Sequence, residues 1–240
     1  MSSIADNLVR VRSHIQASAL KNKRSAQNVT LLAVSKTQPA ENLRIAFNEG
    51  QRDFGENYLQ EALEKIEALK DLDICWHFIG PLQSNKTRAV AENFHWMHTV
   101  DRLKIAKRLS EQRPANLPPL NICIQVNVSD EVSKSGCKPD KLEELATEIV
   151  KLPNLCLRGL MAIPKASENS DEQRQAFARM KQLLKQLQLT HDSVDTLSMG
   201  MSRDMDSAIS EGATIVRIGT AIFGARPPKV TEQPTAALFD

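Results

Sequence analysis

The chain has 240 residues, of which 41% are apolar and 25% charged, and its formal net charge is +2. A chain of this length buries roughly 70–75% of its unfolded surface, so its core needs no disulfide or metal. The near-zero charge argues against a nucleic-acid-binding protein, which needs a dominant basic stripe. Seven Phe, two Trp and one Tyr are too few for a base-stacking platform. The composition is typical of a soluble globular protein with a small ligand.

The cysteines and the amino-terminal segment predict a reducing, cytoplasmic location. The cysteines are Cys75, Cys123, Cys137 and Cys156. They have neither C-x-x-C nor zinc-site spacing, which predicts free thiols and no metal centre. The segment 2–25 lacks a signal-peptide core and carries Ile4, Leu8, Val11 and Ile15 at helical spacing, which predicts a helix. The chain also has no apolar run of membrane-spanning length.

From about residue 29 the chain repeats one pattern, a short apolar or β-branched run followed by an amphipathic helix. The predicted strands are Leu31–Ser35, Arg52–Gly55, Cys75–Ile79, Trp96–Val100, Leu120–Val128, Leu155–Ile163, Asp195–Met199 and Thr214–Ile218. Seven helical patterns fall between them. Two helix starts carry their own signals, Asp101 as an N-cap and Pro139 as a first-turn residue.

This alternation predicts an α/β fold with parallel strands, because each crossover needs a dozen or more residues. Eight such strands without a long linker predict a single (β/α)₈ barrel of the TIM type over about 29–226. A doubly wound sheet is the alternative. The whole chain, 1–240, is then one domain with an extra amino-terminal helix. The tail 227–240 has no core pattern and is expected to be flexible.

The active face of a parallel barrel lies at the carboxyl ends of its strands. Lys36 follows the apolar run of the first predicted strand. One interpretation is a solvated lysine at the end of a strand. The other is a Schiff-base lysine, activated by burial and by neighbouring cations.

The last two strands carry further polar residues. Ser202 lies in the loop after the seventh strand, and Gly219 and Thr220 follow the eighth. Barrels often bind phosphate with these two loops and a helix N-terminus, although each glycine alone is equally typical of a plain turn. Arg217, two residues before Gly219, is either a structural ion-pair partner or a donor to an unprotonated ring nitrogen. With Lys36 the set suggests pyridoxal 5′-phosphate (PLP).

Other constellations fit less well. No Walker loop, dinucleotide fingerprint or nucleophile elbow is present. His95 and His98 lie three apart on one strand and face opposite sides, so they cannot chelate one metal. His77 is interpreted as a core or rim histidine.

Several ordered motifs make the chain resemble the YggS/PROSC family of pyridoxal-phosphate-binding proteins, the pyridoxal phosphate homeostasis proteins. The resemblance runs from the opening helix to about Arg226. The motifs are Leu31–Lys36, Phe54–Asn57, Trp76–Lys86, Lys134–Gly136, Gly159–Met161, Leu197–Ser202 and Val216–Gly224.

The resemblance implies a barrel like the amino-terminal domain of alanine racemase, with PLP held as a reversible aldimine on Lys36. It further implies that Ser202, Gly219 and Thr220 contact the phosphate, that Arg217 meets the pyridine nitrogen, and that two residues, Asn57 and Met161, line the ring. Family members bind, hold and release PLP and keep vitamin B6, amino-acid and keto-acid levels in balance. No robust catalysis is attributed to them.

Racemisation needs a proton acceptor on one face of the substrate and a donor on the other. Lys36 supplies one group, but the resembling racemases supply a tyrosine from a second domain across a dimer. The 16 residues after Gly224 are too few for such a domain, and the only tyrosine, Tyr58, lies at a helix start. The sequence therefore predicts a PLP carrier that contacts apo-enzymes transiently and suffices as a monomer, with a weak dimer left open.

Two enzyme alternatives stay open at this point. One is a slow PLP-dependent amino-acid racemase that uses Tyr58 or a water as its second acid. The other is a PLP-free barrel isomerase for a phosphorylated sugar, with Glu56 as its carboxylate base.

Overall fold

The computed structural model describes residues 2–129 and 135–224, and in it eight parallel strands close into a barrel. The strands are β1 (Thr30–Val34), β2 (Asp53–Glu56), β3 (Cys75–Phe78), β4 (Trp96–Val100), β5 (Leu120–Gln125), β6 (Leu155–Met161), β7 (Thr196–Ser198) and β8 (Ile215–Ile218). Each strand pairs with the next, and β8 pairs with β1 to close the ring. The predicted barrel is confirmed, and the doubly wound alternative is wrong.

Helices surround the barrel. They are α1 (Ile4–Lys21), α2 (Ala40–Asn48), α3 (Leu59–Ala68), α4 (Thr87–Asn93), α5 (Leu103–Gln112), α6 (Leu142–Ile149), α7 (Ser170–Leu187), α8 (Met205–Ser210) and α9 (Thr220–Phe223). The seven helices α2 to α8 connect successive strands, as the alternating pattern predicts. Pro139 opens a 3₁₀ turn that leads directly into α6.

The extra amino-terminal helix is confirmed, with shorter bounds than 2–25. Ser3 and Asp6 form a reciprocal capping box that starts α1, because each side chain accepts the other's backbone N–H. Leu8, Val11 and Ile15 are buried on one face, as their spacing predicts. The helix packs against α8 and α9, so it covers the outside of the barrel's closing strands.

Two local predictions are wrong. Asp101 does not cap α5: the helix begins at Leu103, and the Asp101 carboxylate instead accepts a 2.8 Å hydrogen bond from Arg102 Nη1. The fifth strand ends at Gln125 rather than at residue 128. Beyond it Val126 forms an isolated bridge with Cys137, so the apolar run continues into a loop contact rather than the sheet.

Apolar residues fill the space between barrel and helices. Phe54, Phe78, Phe94 and Phe177 are among the largest fully buried side chains there. By contrast, Leu32, Ile79 and Ile215 form a small separate cluster. An apolar layer therefore surrounds the barrel and joins it to the helices.

The four cysteines carry free thiols, as predicted. In the part of the chain that the structure describes, no helix combines the length and apolar character needed to cross a membrane. The predicted tail 227–240 lies outside the described residues.

Candidate functional site

A cavity of about 340 Å³ opens at the carboxyl ends of β1, β2 and β8, within the range of roughly 300–1,000 Å³ typical of small-molecule sites. Six of the seven sequence-predicted site residues line it: Lys36, Asn57, Ser202, Arg217, Gly219 and Thr220. The fold therefore brings together residues that are up to 184 positions apart, from Lys36 to Thr220. A single cavity holds an amine, a guanidinium and two hydroxyl groups.

Met161 is placed differently from the other six. It ends β6 and is fully buried, and it is not among the residues that line the cavity. Ile163, two positions further along the chain, lines the cavity and is 42% exposed. On this side an isoleucine side chain forms the apolar wall.

Arg217 is buried below the cavity with its guanidinium held by three hydrogen bonds. Nη1 donates to Ser198 O at 2.6 Å and to Ser198 Oγ at 2.9 Å, and Nη2 donates to Ala162 O at 2.8 Å. Burial lowers the pKa of Arg217 to about 10, while the Asp204 carboxylate raises it. The side chain therefore remains a cation at neutral pH, and it can only donate hydrogen bonds to a ligand.

The loop after β7 brings Ser202 and Arg203 to the cavity. Gly200 allows this loop to turn, since it adopts a φ of +94° and a Cβ there would meet Ala208 Cβ at 2.5 Å. The Asp204 carboxylate then accepts the Met201 backbone N–H at 2.5 Å and closes the turn. Arg203 adds a second guanidinium, which the sequence reasoning missed although it adjoins Ser202.

Gly219 and Thr220 face this loop from the end of β8. Gly219 caps α9, which starts at Thr220, so backbone N–H groups and the Thr220 hydroxyl meet at one corner of the cavity. Donors of this kind suit a phosphate group. Ser202, Arg203 and Thr220 are all exposed at the mouth, so a doubly charged group bound there would keep part of its hydration.

Asn57 lies on the opposite wall, directly after β2. Its backbone is fixed by a close approach to Gly80, where a Cβ would lie 2.1 Å from Asn57 O. Among the described residues, Asn57 Oδ1 is buried without a hydrogen-bond partner. A buried acceptor without a partner costs about 1–3 kcal/mol, so this atom suits a bound donor.

A buried polar cluster supports the loop that carries Lys36. Thr37 has a φ of +62°, in the left-handed region that a β-branched residue rarely adopts. The Glu61 carboxylate accepts the Thr37 backbone N–H at 2.5 Å and also bonds Lys65 Nζ. Lys65 Nζ donates to Ser35 O at 2.7 Å. The backbone on both sides of Lys36 is thus anchored to α3, which sequence reasoning missed because the cluster joins separate elements.

Glu56 belongs to the same cluster and cannot serve as the base of a sugar-phosphate isomerase. Its side chain is fully buried, with Oε1 2.8 Å from Lys65 Nζ and 2.6 Å from Ser35 Oγ. Burial raises the pKa of Glu56, while Lys65 lowers it. Glu56 does not line the cavity, which argues against the alternative in which it acts there as a carboxylate base.

Tyr58 is also outside the cavity. It is 54% exposed at the start of α3 and is not a lining residue.

A second cavity of about 390 Å³ adjoins the first and shares Asn57, Ile79 and Ile163 with it. The mouth of the barrel therefore leaves open space beside the predicted site.

The chain matches the family model of the alanine racemase N-terminal domain over residues 2–227. It belongs to this family. Within it the chain is 61% identical over 226 residues to the pyridoxal phosphate homeostasis protein of Pseudomonas aeruginosa, a match that covers 94% of this chain and 97% of the relative. It is 54% identical over 229 residues to the protein of the same name from Escherichia coli, across 94% of this chain and 98% of that one.

A solved structure of PipY from Synechococcus elongatus, with PLP bound, has the same fold. Its TM-score is 0.81 at 37% identity, covering 92% of this chain and 100% of PipY. The predicted resemblance to the homeostasis proteins is confirmed.

Proposed function

We propose that this protein binds PLP in the Lys36 cavity, holds it reversibly and releases it to other users, as part of PLP homeostasis. The observation that carries the proposal is the joining of Lys36, Arg217 and the Ser202 and Thr220 hydroxyls in one cavity. The structure of PipY with PLP bound and the names of the closely related proteins support it.

The donor set fits each part of the cofactor. Bound PLP supplies an aldehyde that forms a carbon–nitrogen double bond with a primary amine, releasing one water. Lys36 provides that amine, and Ser202, Gly219 and Thr220 provide donors for the phosphate. Arg217 donates to the ring nitrogen and keeps it unprotonated, because a buried cation disfavours a second positive charge beside it. Asn57 lines the ring.

The cavity suits a carrier better than a racemase. A racemase needs two groups that exchange a proton on opposite faces of the substrate. Among the described residues that line the Lys36 cavity there is no histidine, cysteine, tyrosine or carboxylate. The guanidinium groups that line the cavity only donate hydrogen bonds and are not proton acceptors. Among the described lining residues, Lys36 is then the one amine, and a second group for the opposite face is absent.

The adjoining cavity gives a route for release. An amine that enters the adjoining cavity can approach the bond between Lys36 and PLP. Its path passes Asn57 and Ile163, which line both cavities. Such an amine would take over the carbon–nitrogen bond and return Lys36 as a free amine, and PLP would leave joined to the incoming amine. Water would then release free PLP, or an apo-enzyme's own lysine would take over the same bond. We propose that the protein works as a monomer in the reducing cytoplasm, which its four free thiols suit.

Transfer and turnover are tested on the same preparation. PLP-loaded protein is mixed with an apo-transaminase, and both the visible band of the loaded protein and transaminase activity are followed. We expect the band to fall as activity rises, with no deuterium exchange at Cα of L-alanine in the absence of transaminase. Failure to transfer PLP under any condition would contradict the carrier function. Deuterium exchange that Lys36→Ala abolishes would establish the racemase instead.

A further inference from the structure

The interior of the barrel contains a continuous hydrogen-bonded chain of five side chains, beginning at Arg217. Arg217 Nη1 lies 2.9 Å from Ser198 Oγ, which lies 2.8 Å from His98 Nδ1. His98 Nε2 lies 2.9 Å from His77 Nδ1, and His77 Nε2 lies 3.1 Å from Asp53 Oδ1. Ser198, His98 and His77 are at most 1% exposed. The Asp53 side chain, at the start of β2, is 30% exposed. The chain therefore runs from the Lys36 cavity to the opposite rim of the barrel.

Donor and acceptor chemistry gives this chain one direction. The Asp53 carboxylate only accepts, so His77 Nε2 carries a proton and donates it. Burial lowers the pKa of both imidazoles, which keeps each neutral with a single N–H. His77 Nδ1 must then accept from His98 Nε2–H, and His98 Nδ1 must accept from the Ser198 hydroxyl. The Ser198 oxygen is left with a lone pair for Arg217, which only donates.

The reverse direction is less favourable. If His98 donated to Ser198 Oγ, that oxygen would receive two donors, from His98 and Arg217. The Ser198 hydroxyl hydrogen would then have to find a different acceptor inside the barrel. A buried donor without a partner is destabilising, because it loses its hydrogen bonds to water and gains none in return. The carboxylate at the far rim therefore determines which way the Ser198 hydroxyl points beneath Arg217.

We propose that His98, His77 and Asp53 are positioning residues for Arg217, acting through Ser198 to fix the orientation of the guanidinium that faces the PLP ring. This inference rests on the proposed function, which supplies PLP as the ligand. The direction of the hydrogen bonds from Asp53 to Arg217 is, however, already set in the ligand-free protein. His77 and His98 do not line the Lys36 cavity. They hold in place the group that does.

Charged and titratable groups surround the two imidazoles. Cys75 Sγ lies 3.3 Å from His77 Nε2, and Asp53 faces the same atom. Burial, His77 and Arg217 lower the pKa of His98, and burial, His77 and Arg113 lower the pKa of His95. Asp53, Cys75 and His77 also bring three potential metal-ligating atoms within 4.8 Å of one another. A metal on His77 Nε2 would enforce the reverse direction, so the test is run with a chelator present.

The first measurement is the ¹⁵N chemical shift of the imidazole nitrogens in the ligand-free protein. The chain has five histidines, so substituting His14, His95 and His191 in turn assigns the remaining two. We expect His77 and His98 to carry their protons on Nε2 and to stay singly protonated between about pH 6 and pH 8. A proton on Nδ1 of either ring, or a second proton within that range, would overturn the proposal.

The second measurement is PLP binding by Asp53→Asn and Ser198→Ala. We expect PLP to dissociate about 2- to 10-fold more readily, the range that one polar hydrogen bond supports, and the visible band of bound PLP to shift. Asp195→Asn removes a carboxylate from the same rim of the barrel. Asp195 pairs with Arg158 and does not belong to the hydrogen-bonded series that ends at Arg217. Thr196→Val removes a hydroxyl from the same strand as Ser198. Both controls should bind PLP like the wild type.

The two measurements distinguish a failure of the positioning role from a failure of the proposed PLP-binding function. If the wild type binds PLP while Asp53→Asn and Ser198→Ala match it in affinity and in spectrum, the positioning role is wrong and the proposed function stands. If the tautomers are as inferred but the wild type takes up no PLP, the proposed function fails, and with it the role of the chain toward PLP.

Discussion

The two sides of the barrel wall are built from opposite chemistry. The outer side meets the helices through a continuous apolar layer, which includes Phe54, Phe78 and Phe177. In the described part of the chain, the inner side carries a small apolar cluster around Leu32 and is crossed by polar groups that end at Arg217. The outer layer accounts for stability, whereas the inner side accounts for what the barrel binds. Substitutions on the two sides should therefore separate stability from PLP binding.

The largest stability effect is expected in the outer layer. Phe177→Ala, in the middle of α7, removes a fully buried ring and should lower the free energy of unfolding by about 3–5 kcal/mol. PLP uptake per folded molecule should not change, because Phe177 does not reach the Lys36 cavity. Denaturant unfolding and PLP titration of the same sample measure both. Weakened PLP binding by the folded fraction would show that the two sides are not independent.

Arg217→Met should affect both properties. It leaves Ala162 O and Ser198 Oγ without the guanidinium, which costs about 1–3 kcal/mol of stability, and it removes the donor to the PLP ring. Weaker PLP binding at a lower unfolding midpoint is the expected result. Arg158→Met, at the opposite rim, is the control for the loss of an arginine. A variant as stable as the wild type that binds PLP normally would contradict the placement of Arg217 under the ring.

The buried histidines should give the fold a pH dependence of known sign. Burial lowers the pKa of His77 and His98 below the ordinary value of 6.5. As pH falls below 6.5, the unfolded chain takes up protons that the folded chain does not, so stability is lost, by up to about 1.4 kcal/mol per pH unit for each imidazole.

Unfolding free energies measured from about pH 7 down to pH 5 check this slope. His98→Asn should lower the slope of unfolding free energy against pH by up to about 1.4 kcal/mol per pH unit, which corresponds to the uptake of one proton per molecule. His14→Asn, on the exposed surface, is the matched control. An equal slope in wild type and His98→Asn would show that the folded protein protonates this ring.

The smallest effect is expected at the loop that carries Lys36. Glu61→Ala removes the acceptor of the Thr37 N–H and should cost about 0.5–1.5 kcal/mol, with a modest loss of PLP affinity as the loop relaxes. Glu64→Ala, an exposed position on the same helix, is the control. Calorimetric unfolding and PLP titration measure the two effects. Unchanged affinity would mean that Lys36 does not depend on this anchor.

What the sequence predicted correctly was carried by short-range signals. The alternation of strand and helix patterns predicts the barrel, because each pattern lies within about ten residues. That Lys36 and Arg217 line one cavity can be predicted because both lie near the ends of apolar strands, and parallel strands bring their ends together. Their roles toward PLP stay predictions. The glycine loops near Ser202 and Thr220 follow from the same rule.

What the sequence did not predict depends on contacts between distant residues. Ser198 and His98 are 100 positions apart, and Glu56 meets Lys65 across two elements. A polar residue inside a strand interrupts the apolar pattern without indicating its partner, so the interior chain is invisible to periodicity. Asp101 shows that even neighbouring residues can defeat a local signal. Its carboxylate accepts a hydrogen bond from Arg102 instead of capping α5.

Lys36 is the residue that we propose as the covalent anchor for PLP. The direct measurement is the absorbance spectrum of PLP-loaded protein before and after borohydride, followed by mass spectrometry of its peptides. We predict a visible band that borohydride bleaches, with a pyridoxyl adduct on Lys36. Lys165→Ala, which removes an exposed lysine near the same end of the barrel, should keep the adduct, and Lys36→Ala should lose it. A colourless protein that takes up no PLP, or an adduct on a different lysine, would contradict the account.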